Sequence, residues 1–484
     1  MTCKEVCSKR GKPLCISNQE HWLFMDAKRI EHDFLGSLDV PSDAYWGIHT
    51  QRAINNFHIS GIKVNISLIR SLALTKKACC LANLETGHLT PEKGKAIIKA
   101  CDEIAAGKLS DQFLVDALQG GAGTSTNMNL NEVIANRAIE LLGGKKGNYD
   151  LIHPLEDVNL HQSTNDVYPT ALKVATIFRL RDLSKAIAGL QGAFQEKEKE
   201  FAAIVKLGRT ELQEAVPITL GAEFSAFAEA FSRDRWRTFK CEERLRVVNL
   251  GGTAVGTGLA APRNYIFLVI EKLREVTGLG LSRGENVLGE TANADSFVEV
   301  SGILKAHAVN LIKISNDLRL MNLLGEIQLP QLQAGSSIMP GKVNPVLAEA
   351  AIQAGMKIIA NDAIVTDAAA RGTLQINEFL PLLAHALLES LDLLININGM
   401  LIDHVRGIVA NKEKCEEYFN TSPMIITALL PVIGYEEAAQ FITEFSSGSG
   451  NNMRRFLEEK LGKELIDKIF SPYQLTALGY KDNK

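Results

Sequence analysis

The sequence predicts a mostly helical, all-α protein organised around a bundle of long helices, and three observations lead to that prediction. Apolar residues recur at helical spacing, with few Gly or Pro breaks, over residues 171–202, 222–247, 301–322 and 345–370. These segments exceed the usual helix length and are rich in apolar and small residues, which is typical of helices buried on more than one face. Alternating strand patterns are sparse, and the clearest is a short hairpin over residues 34–40 with its turn at Gly36-Ser37. Helices that are apolar all round also predict an oligomer, because partner subunits then supply the missing cover.

Length and composition are those of an ordinary globular protein. A chain of 484 residues predicts roughly three domains, and 46% hydrophobic with 22% charged residues is a normal globular composition. The net charge of −4 gives no electrostatic basis for binding nucleic acid or a membrane surface. We therefore expect neither a nucleic-acid nor a membrane partner.

The N-terminal residues and the cysteines predict a cytoplasmic protein without a metal site. No apolar run reaches the length that crosses a bilayer, and the apolar cluster at residues 22–25 is too short for a secretory signal. Cys3, Cys7 and Cys15 match no strong zinc spacing, so a disordered extension is preferred over a metal site there. Five further cysteines lie among helical segments and are expected to be buried, reduced thiols: Cys79, Cys80, Cys101, Cys241 and Cys415.

Residues 335–345, which read Gly-Ser-Ser-Ile-Met-Pro-Gly-Lys-Val-Asn-Pro, carry the densest functional signal. They set two hydroxyls, a lysine and an amide close together: Ser336, Ser337, Lys342 and Asn344. The Gly residues permit conformations that other residues avoid, and the Pro residues block a continuous helix. This composition is typical of a mobile loop that carries polar function on a rigid scaffold, although a plain connector between helices has the same composition.

Three further polar clusters precede this loop in the chain. They occupy residues 121–129, with Thr124 and Ser125, residues 162–166, with Ser163, Thr164 and Asn165, and residues 208–214, with Thr210 and Glu211. A Gly-rich turn that leads into a helix can hold a carboxylate through backbone N–H and hydroxyl donors. Each cluster alone also has the composition of a helix N-cap. Four such clusters spread across one chain are hard to explain as four caps.

The clusters and the loop resemble, in sequence and in order, the motifs of the aspartase/fumarase superfamily. Residues 29–36 and 44–53 also resemble the start of aspartases and class II fumarases, so the resemblance covers nearly the whole chain, and the first two clusters are closer to aspartate ammonia-lyase than to fumarase. It implies the three-domain homotetrameric fold of that superfamily, with each active site shared between three subunits and no cofactor. On this basis we expect an N-terminal extension (1–28), an N-terminal domain (29–162), a central helical-bundle domain (163–410) and a C-terminal domain (411–484).

The resemblance also implies the reaction, in which a base removes a proton from Cβ of a small-molecule substrate and an amine then leaves the adjacent carbon. Ser336 is the general base in this scheme, and Lys342 and Asn344 bind the α-carboxylate. Serine is a poor base at its ordinary pKa, but a nearby cation such as Lys342, backbone N–H donors and exclusion of water favour its alkoxide.

The remaining site residues surround the other substrate groups in this resemblance. Hydroxyl and N–H donors aimed at charge that develops during proton removal lower the barrier. The hydroxyls that line the pocket for the group on Cβ are those of Thr124, Ser163, Thr164 and Ser337, with Ser125 in the same substrate-binding cluster. Asn165 and Thr210 lie near the leaving nitrogen.

Departures from the superfamily pattern bear on the substrate. Glu211 stands where aspartases and fumarases usually carry His or Gln, and a carboxylate there repels a second carboxylate on the substrate. Glu349 occupies the acidic position that pairs with this His in relatives, so two facing carboxylates need a raised pKa or a cation between them. Glu378 replaces a usual apolar residue, and the connection over residues 321–326 is short and lacks the Gly-Pro-Arg stretch of relatives. We assign Glu211 a catalytic role and Glu349 and Glu378 substrate-binding roles, with a solvated surface acid as the alternative for Glu211.

Three functional hypotheses follow. The first is a carbon–nitrogen lyase whose substrate is not plain aspartate, with ergothioneine as the lead candidate, because its imidazole-thione N–H suits Glu211 or Glu378 and its ring replaces the second carboxylate as electron sink. This enzyme, an ergothionase, releases trimethylamine and a thiourocanate. The second hypothesis is an aspartate ammonia-lyase, which converts L-aspartate to fumarate and ammonia. The third is a non-catalytic superfamily member, against which the intact Ser336, Lys342 and Asn344 speak.

Overall fold

The computed structural model describes residues 27–480 and confirms the mostly helical architecture. The cysteines at positions 3, 7 and 15 and nearly all of the expected extension lie outside the described residues. The α-helices, numbered in chain order, are α1 Ile48–Asn56, α2 Ile66–Glu85, α3 Pro91–Ala105, α4 Thr124–Leu141, α5 Thr164–Glu200, α6 Leu220–Cys241, α7 Arg263–Thr277, α8 Val287–Ala292, α9 Asp295–Leu323, α10 Val346–Ala370, α11 Leu380–Arg406, α12 Lys412–Thr421, α13 Leu430–Ser447, α14 Met453–Leu461, α15 Lys463–Ile469 and α16 Pro472–Thr476.

Short strands form four two-stranded sheets in the part of the chain that the structure describes. They pair β1 Lys28–Asp33 with β2 Gly36–Pro41, β3 Val205–Thr210 with β4 Gln213–Thr219, β5 Val247–Val248 with β6 Ser282–Arg283, and β7 Ile327–Gln328 with β8 Val409–Ala410. The β1/β2 pair is the hairpin expected near residues 34–40, but its turn is Phe34-Leu35, and Gly36 already pairs with Asp33. The β3/β4 hairpin was not expected, because its register shifts between Leu207 and Arg209 and this bulge interrupts the alternation that marks a strand.

Five long helices form the centre of the molecule. Helices α5, α6, α9, α10 and α11 pack in a ring in which each contacts the next and α11 contacts α5 again. Four of them are the helices that apolar periodicity predicts, and the fifth, α11, has an apolar sequence because it is buried between α5 and α10. The bundle is therefore the rigid body that carries the polar loops at its ends.

Helix α5 shows how the sequence sets one of these ends. It runs for 37 residues, and Ser163 is its N-cap. The Ser163 side chain accepts from the Asn165 N–H, and the Asp166 carboxylate accepts from the Ser163 N–H, which completes a capping box. The cap fixes where the helix begins, so the second polar cluster lies at its N-terminal end.

Two hydrophobic cores are present. The larger extends from Leu68 to Ile408 and joins helices on both sides of the expected boundary at residues 162 and 163. The smaller joins Leu207 of the β3/β4 hairpin to residues between 419 and 475 of the C-terminal region. The hairpin is therefore anchored on the C-terminal helices, and the domain boundaries stay a prediction.

The expectation that no segment has the length and hydropathy of a membrane span needs correction. Within the described residues, windows in Leu380–Arg406 and Pro423–Ser447 reach mean hydropathies of 1.5 and 1.3. The first is α11, and 61% of that window is buried inside the protein. Its apolar character follows from its place in the bundle, where three neighbouring helices contact it.

The five cysteines expected to be buried thiols are buried and free. Burial raises the pKa of the thiols of Cys79, Cys80 and Cys241 to about 12. A thiol with so high a pKa carries almost no thiolate at neutral pH and is unreactive. These residues serve packing.

Candidate active site

The first polar cluster forms the N-terminal end of α4. Gly121 and Gly123 adopt left-handed backbone conformations, with φ of 85° and 93°. A Cβ at Gly123 would lie 2.4 Å from the ring of Tyr168, so only glycine fits there. The chain then enters α4 at Thr124, which is exposed, and Ser125, which is half-buried. Both hydroxyls therefore lie at a helix N-terminus, where backbone N–H groups and the helix dipole favour an anion.

A cleft of about 220 Å³ lies beside Thr124 and Ser125. Its other wall includes His49 and Arg52 of α1. Arg52 is not a free cation, because Nε and Nη2 hold the two carboxylate oxygens of Asp33 at 2.7 and 2.8 Å. Arg52 thus orients α1 against the β1/β2 hairpin.

The second cluster lies against the first. Thr164, at the start of α5, is buried, and its Oγ accepts from Asn127 Nδ2 of α4 at 3.1 Å. Asn165 donates through Nδ2 to the backbone carbonyl of Ala254 at 2.7 Å. Its side-chain oxygen Oδ1 accepts no hydrogen bond within the described residues. The hydrogen bond from Asn127 to Thr164 therefore joins the first two clusters, and their sharing one substrate pocket stays a prediction.

Asp166 holds a third chain segment beside this pocket. Its carboxylate accepts from the N–H groups of Ser163, Gly251 and Thr253 at distances between 2.9 and 3.1 Å. Burial raises the pKa of Asp166 to about 6, against the opposing effect of these hydrogen bonds. The residue anchors the loop after β5 to the start of α5.

The loop of residues 335–345 directly precedes α10 and is closed at its base by its own hydrogen bonds. The Gly335 N–H donates to the Lys342 carbonyl at 2.7 Å, and Asn344 Nδ2 donates to the Gly335 carbonyl at 2.9 Å. Gly341 has a φ of 81°, a conformation that glycine supplies without strain. Ser337 and Lys342 are exposed on the outer part of the loop.

The Ser336 hydroxyl accepts two backbone hydrogen bonds from its own loop. Its Oγ accepts from the backbone N–H groups of Ile338 at 3.2 Å and Met339 at 3.0 Å. Two donors directed at the same oxygen favour its anionic form. The role of Ser336 as the general base stays a prediction, which these two donors would support.

The third cluster lies at the tip of the β3/β4 hairpin rather than at a helix N-cap. Thr210 ends β3, and Glu211 and Leu212 form a two-residue turn with φ of 52° and 62°. Side chains other than glycine adopt this left-handed conformation at a cost. Glu211 is exposed, and its carboxylate makes no hydrogen bond within the described residues. The hairpin tip thus presents an exposed carboxylate without a partner among the described residues.

Buried charges anchor the stem of this hairpin. Glu326 is fully buried and forms ion pairs with Arg209 and with Lys206, the latter at 2.7 Å. Lys206 also pairs with Glu223 at 2.6 Å, and the Arg209 guanidinium lies 5.1 Å from the ring centroid of Tyr418. Arg209 lies within the third cluster of residues 208–214, and Glu326, at the end of the short connection before the loop, was not predicted as a functional residue.

The two other acidic candidates have partners in the chain itself. Glu349, in the first turn of α10, lies 3.8 Å from the Arg319 guanidinium. Glu378 accepts from the hydroxyl of Thr373 at 2.9 Å and from its N–H at 3.3 Å. Hydrogen bonds from its own backbone N–H and from Thr373 lower the pKa of Glu378. Its carboxylate therefore closes a tight turn between α10 and α11.

The single chain does not assemble all the predicted site residues. Within residues 27–480, no hydrogen bond joins the loop of residues 335–345 to any of the three clusters. The tip residues Thr210 and Glu211 likewise make no side-chain hydrogen bond to the loop or to the first two clusters. The loop and the hairpin tip are therefore separate from the first two clusters in their hydrogen bonding.

Comparison with known proteins identifies similar chains. Residues 36–360 match the family model described as Lyase. The chain is 44% identical over 464 residues to an aspartate ammonia-lyase of a Bacillus species, covering 94% of this chain and 99% of that protein. It is 46% identical over 462 residues to an aspartate ammonia-lyase of Pseudomonas aeruginosa, covering 93% and 97%.

Solved structures of similar proteins share the fold. A fumarate lyase:delta crystallin from Brucella melitensis bound to cobalt is 44% identical, with a TM-score of 0.89 over 93% of this chain and 100% of that chain. A class II fumarase from Schistosoma mansoni is 31% identical, with a TM-score of 0.86 over 92% and 98%.

Proposed function

The chain belongs to the lyase family of aspartases and fumarases and is a carbon–nitrogen lyase, and from this premise we propose that it is an aspartate ammonia-lyase. The proposed reaction converts L-aspartate to fumarate and ammonia. Relatives of this name at 44–46% identity over nearly the whole chain favour this substrate over ergothioneine, the lead candidate from the pocket substitutions. The observation that carries the reaction type is the Ser336 hydroxyl, which accepts two backbone N–H groups in an exposed loop.

Proton removal begins the proposed reaction. Ser336 Oγ takes a proton from Cβ of L-aspartate, and the electron pair left on Cβ delocalises into the neighbouring carboxylate. The N–H groups of Ile338 and Met339 favour the alkoxide that acts as base. Closure of the loop over the substrate excludes water, which strengthens these hydrogen bonds and commits the substrate.

The Cβ carboxylate gains negative charge in this step, and the pocket is assigned to hold it. The hydroxyls of Ser163, Thr164 and Ser337 donate to its oxygens, with Ser125 beside them at the N-terminus of α4, and Thr124 joins them when its hydroxyl turns from the Gly121 carbonyl, to which it donates at 2.8 Å. Donors that are already oriented stabilise the transition state without reorganisation. The bonds that fix Ser163 and Thr164 use these oxygens as acceptors and leave their protons free to donate.

The α-carboxylate and the amine occupy the other side of the substrate. Lys342 and Asn344 bind the α-carboxylate, which places the loop over the substrate when it closes. Asn165 and Thr210 face the nitrogen, and the side-chain oxygen Oδ1 of Asn165 accepts from the ammonium group. The C–N bond then breaks, ammonia departs with the bonding pair, and the double bond of fumarate forms.

A complete site requires more than one copy of the chain. No hydrogen bond of the described residues joins the loop or the hairpin tip to the pocket that they are assigned to, and we propose a homotetramer in which three subunits contribute to each site. Large apolar side chains on the bundle support this arrangement, because Trp236, Val309, Met356 and Met400 are at least half exposed in the single chain. Five free thiols support a cytoplasmic location, since reduced cysteines persist there.

Ergothioneine remains a second candidate because of Glu211. An unpaired carboxylate at the hairpin tip repels the Cβ carboxylate of aspartate but accepts from the N–H of an imidazole-thione. Support from the other two acids is weaker, since Glu378 is engaged by Thr373 and Glu349 lies near Arg319.

One experiment separates these candidates. Purified protein is given L-aspartate or ergothioneine, and fumarate and thiourocanate are followed by their different absorbance while ammonia and trimethylamine are quantified. Fumarate and ammonia in equal amounts from L-aspartate support the proposal. Trimethylamine from ergothioneine with no turnover of L-aspartate would replace it with the second candidate, and no turnover of either would show that the lyase acts on another substrate.

A further inference from the structure

Lys76 of α2 is a buried cation that no step of the proposed reaction uses. It is 0% exposed, and its Nζ donates to Asn159 Oδ1 at 2.6 Å. No carboxylate of the described residues lies within 4 Å of this Nζ, in contrast to the other buried lysines. Lys173 pairs with Glu290, Lys197 with Glu200, and Lys206 with Glu223 and Glu326, all at 2.9 Å or less.

Hydrogen bonds connect Lys76 to the substrate pocket. The Oδ1 of Asn159 also accepts from Asn127 Nδ2 at 3.2 Å and from Asn131 Nδ2 at 3.1 Å. Asn127 Nδ2 in turn donates to the Thr164 hydroxyl oxygen at 3.1 Å. Lys76, Asn127 and Asn131 therefore donate to one oxygen, which places the ammonium group three hydrogen bonds away from the Thr164 hydroxyl.

Helix α2 also fixes the backbone that leads into the second cluster. Asn83 donates through Nδ2 to the Leu160 carbonyl at 3.1 Å, and the His161 Nδ1–H donates to Asn83 Oδ1 at 2.7 Å. His161 has a left-handed φ of 61°, a conformation that needs such support. Two residues of α2 thus hold the segment immediately before Ser163.

A buried ammonium group that no carboxylate contacts lowers the stability of a protein, because burial disfavours its charged form, and the buried Asp166 opposes this only from beyond 4 Å. Burial lowers the pKa of Lys76 to about 8, so the group still carries its charge at neutral pH. Such a charge attracts an anion that binds nearby, and this attraction is stronger in a water-poor interior than at the surface. The hydroxyl pocket is where the proposed substrate brings negative charge.

We propose that Lys76 is a positioning residue whose buried charge, fixed by Asn159 three hydrogen bonds from the Thr164 hydroxyl, stabilises through its electric field the negative charge that develops on the Cβ group of the substrate. This inference rests on the proposed function for its substrate. The substrate enters with one charge on its Cβ carboxylate and gains a second on proton loss. A fixed cation therefore lowers the transition state more than the bound substrate, and its removal affects kcat more than KM.

The test compares Lys76→Gln, which keeps an N–H donor but no charge, with Lys76→Met, which has neither. Lys77→Gln is the matched control, because Lys77 is the next residue of α2 and pairs at the surface with Asp102. We expect kcat for L-aspartate to fall on the order of 10-fold or more in both Lys76 variants, with KM changed less than about threefold. Their thermal unfolding midpoints should equal or exceed that of the wild type, and the control should match the wild type in kcat.

Several results would overturn this inference. A kcat within about twofold of wild type in Lys76→Gln would show that the hydrogen bond suffices without the charge. A lowered unfolding midpoint with a kcat loss that follows the unfolded fraction would assign a structural role. If the wild type is inactive on L-aspartate but active on ergothioneine, the proposed substrate fails and the same kcat comparison is made with ergothioneine. Inactivity on both would overturn the proposed function and this inference together.

Discussion

At the scale of single residues, the polar groups of the site differ in whether the chain already uses them. The amide group of Asn344 closes the base of its loop, and Glu378 binds Thr373. Lys342 and Glu211 make no side-chain hydrogen bond among the described residues. Lys342, Glu211 and the second N–H of the Asn344 amide are therefore free to meet a substrate, and Glu211 is the group that most directly affects substrate choice.

The charge of Glu211 predicts the effect of its removal. Glu211→Gln should raise kcat/KM for L-aspartate by about fivefold, on the order of 1 kcal/mol, because a neutral amide does not repel the Cβ carboxylate. Steady-state rates of fumarate formation measure this. A fall in kcat/KM would show instead that the carboxylate assists the reaction, and Glu229→Gln on the surface of α6 serves as the control for a general charge effect.

The buried ammonium of Lys76 predicts how stability depends on pH. Its pKa in the folded protein is about 8, below its ordinary value of 10.5. Below pH 8 the lysine is charged in both states, and the folded state carries the full cost of burying it, about 3 kcal/mol. Between pH 8 and 10.5 the unfolded state binds more protons, so this cost disappears as the pH rises. The groups that affect this titration are Asp166 of α5, Cys79 of α2 and Cys101 of α3.

Urea unfolding of the wild type and Lys76→Met measures this dependence. The variant should be more stable than the wild type at pH 7, and the difference should shrink towards zero by about pH 10. A variant that is less stable than the wild type at pH 7 would contradict the inference that the Lys76 charge, which no carboxylate contacts, destabilises the folded state.

At the scale of elements, capping and periodicity patterns predicted helices and strands wherever no bulge or unusual turn interrupted the pattern. The Ser163-x-x-Asp166 pattern marks a capping box, and α5 begins there. The β3/β4 hairpin was missed because the bulge at Gly208 breaks its alternation and its turn carries Glu and Leu instead of glycine. Packing of the hairpin against the C-terminal helices overrides these weak local preferences.

The site was predictable as four clusters but not as an assembled pocket. Motifs pointed to the hydroxyls because four clusters in one chain are hard to explain as four caps, although Ser163 does cap α5. Lys76 was missed although a signal existed: it lies four residues after Leu72 and three before Cys79, on the buried face of α2. A lysine at such a spacing marks a buried cation, but its partner Asn159 lies 83 residues away and only the fold reveals it.

The loop before α10 predicts a separation of stability from activity. A Cβ at Gly341 meets no atom within 4 Å, so Gly341→Ala creates no clash, but the left-handed φ of 81° disfavours alanine. We expect the substitution to destabilise the loop conformation by about 1 kcal/mol, with little change in the unfolding midpoint of the whole protein. The change should lower kcat, because it shifts the loop away from the conformation that presents Ser336. Wild-type turnover in this variant would contradict the role of the loop conformation.

At the scale of the whole molecule, the proposed sites are shared between subunits. The pocket, the loop and the hairpin tip lie on different elements of one chain, and large apolar side chains of the bundle are exposed. Burying them against other copies stabilises the assembly at roughly 25 cal/mol for each Å² of apolar surface removed from water. The oligomer is therefore a condition for catalysis in this account.

Mixing two inactive variants tests this sharing. Ser336→Ala removes the base and Thr164→Val changes the pocket, and each variant alone should be nearly inactive. Dissociating and reassembling them together should restore activity, because some sites of the mixed oligomer then combine an intact loop with an intact pocket. Sedimentation of the wild type should show a tetramer. Mixed assemblies that form but stay inactive would contradict shared sites.

The most direct test of the central claim is the rate at which Ser336→Ala forms fumarate from L-aspartate. The account predicts that wild-type protein releases fumarate and ammonia in equal amounts, and that the variant folds and assembles normally but is slower by about 10²–10⁴-fold. A Ser336→Ala protein that keeps the wild-type rate would contradict the assignment of this hydroxyl as the base that starts the elimination.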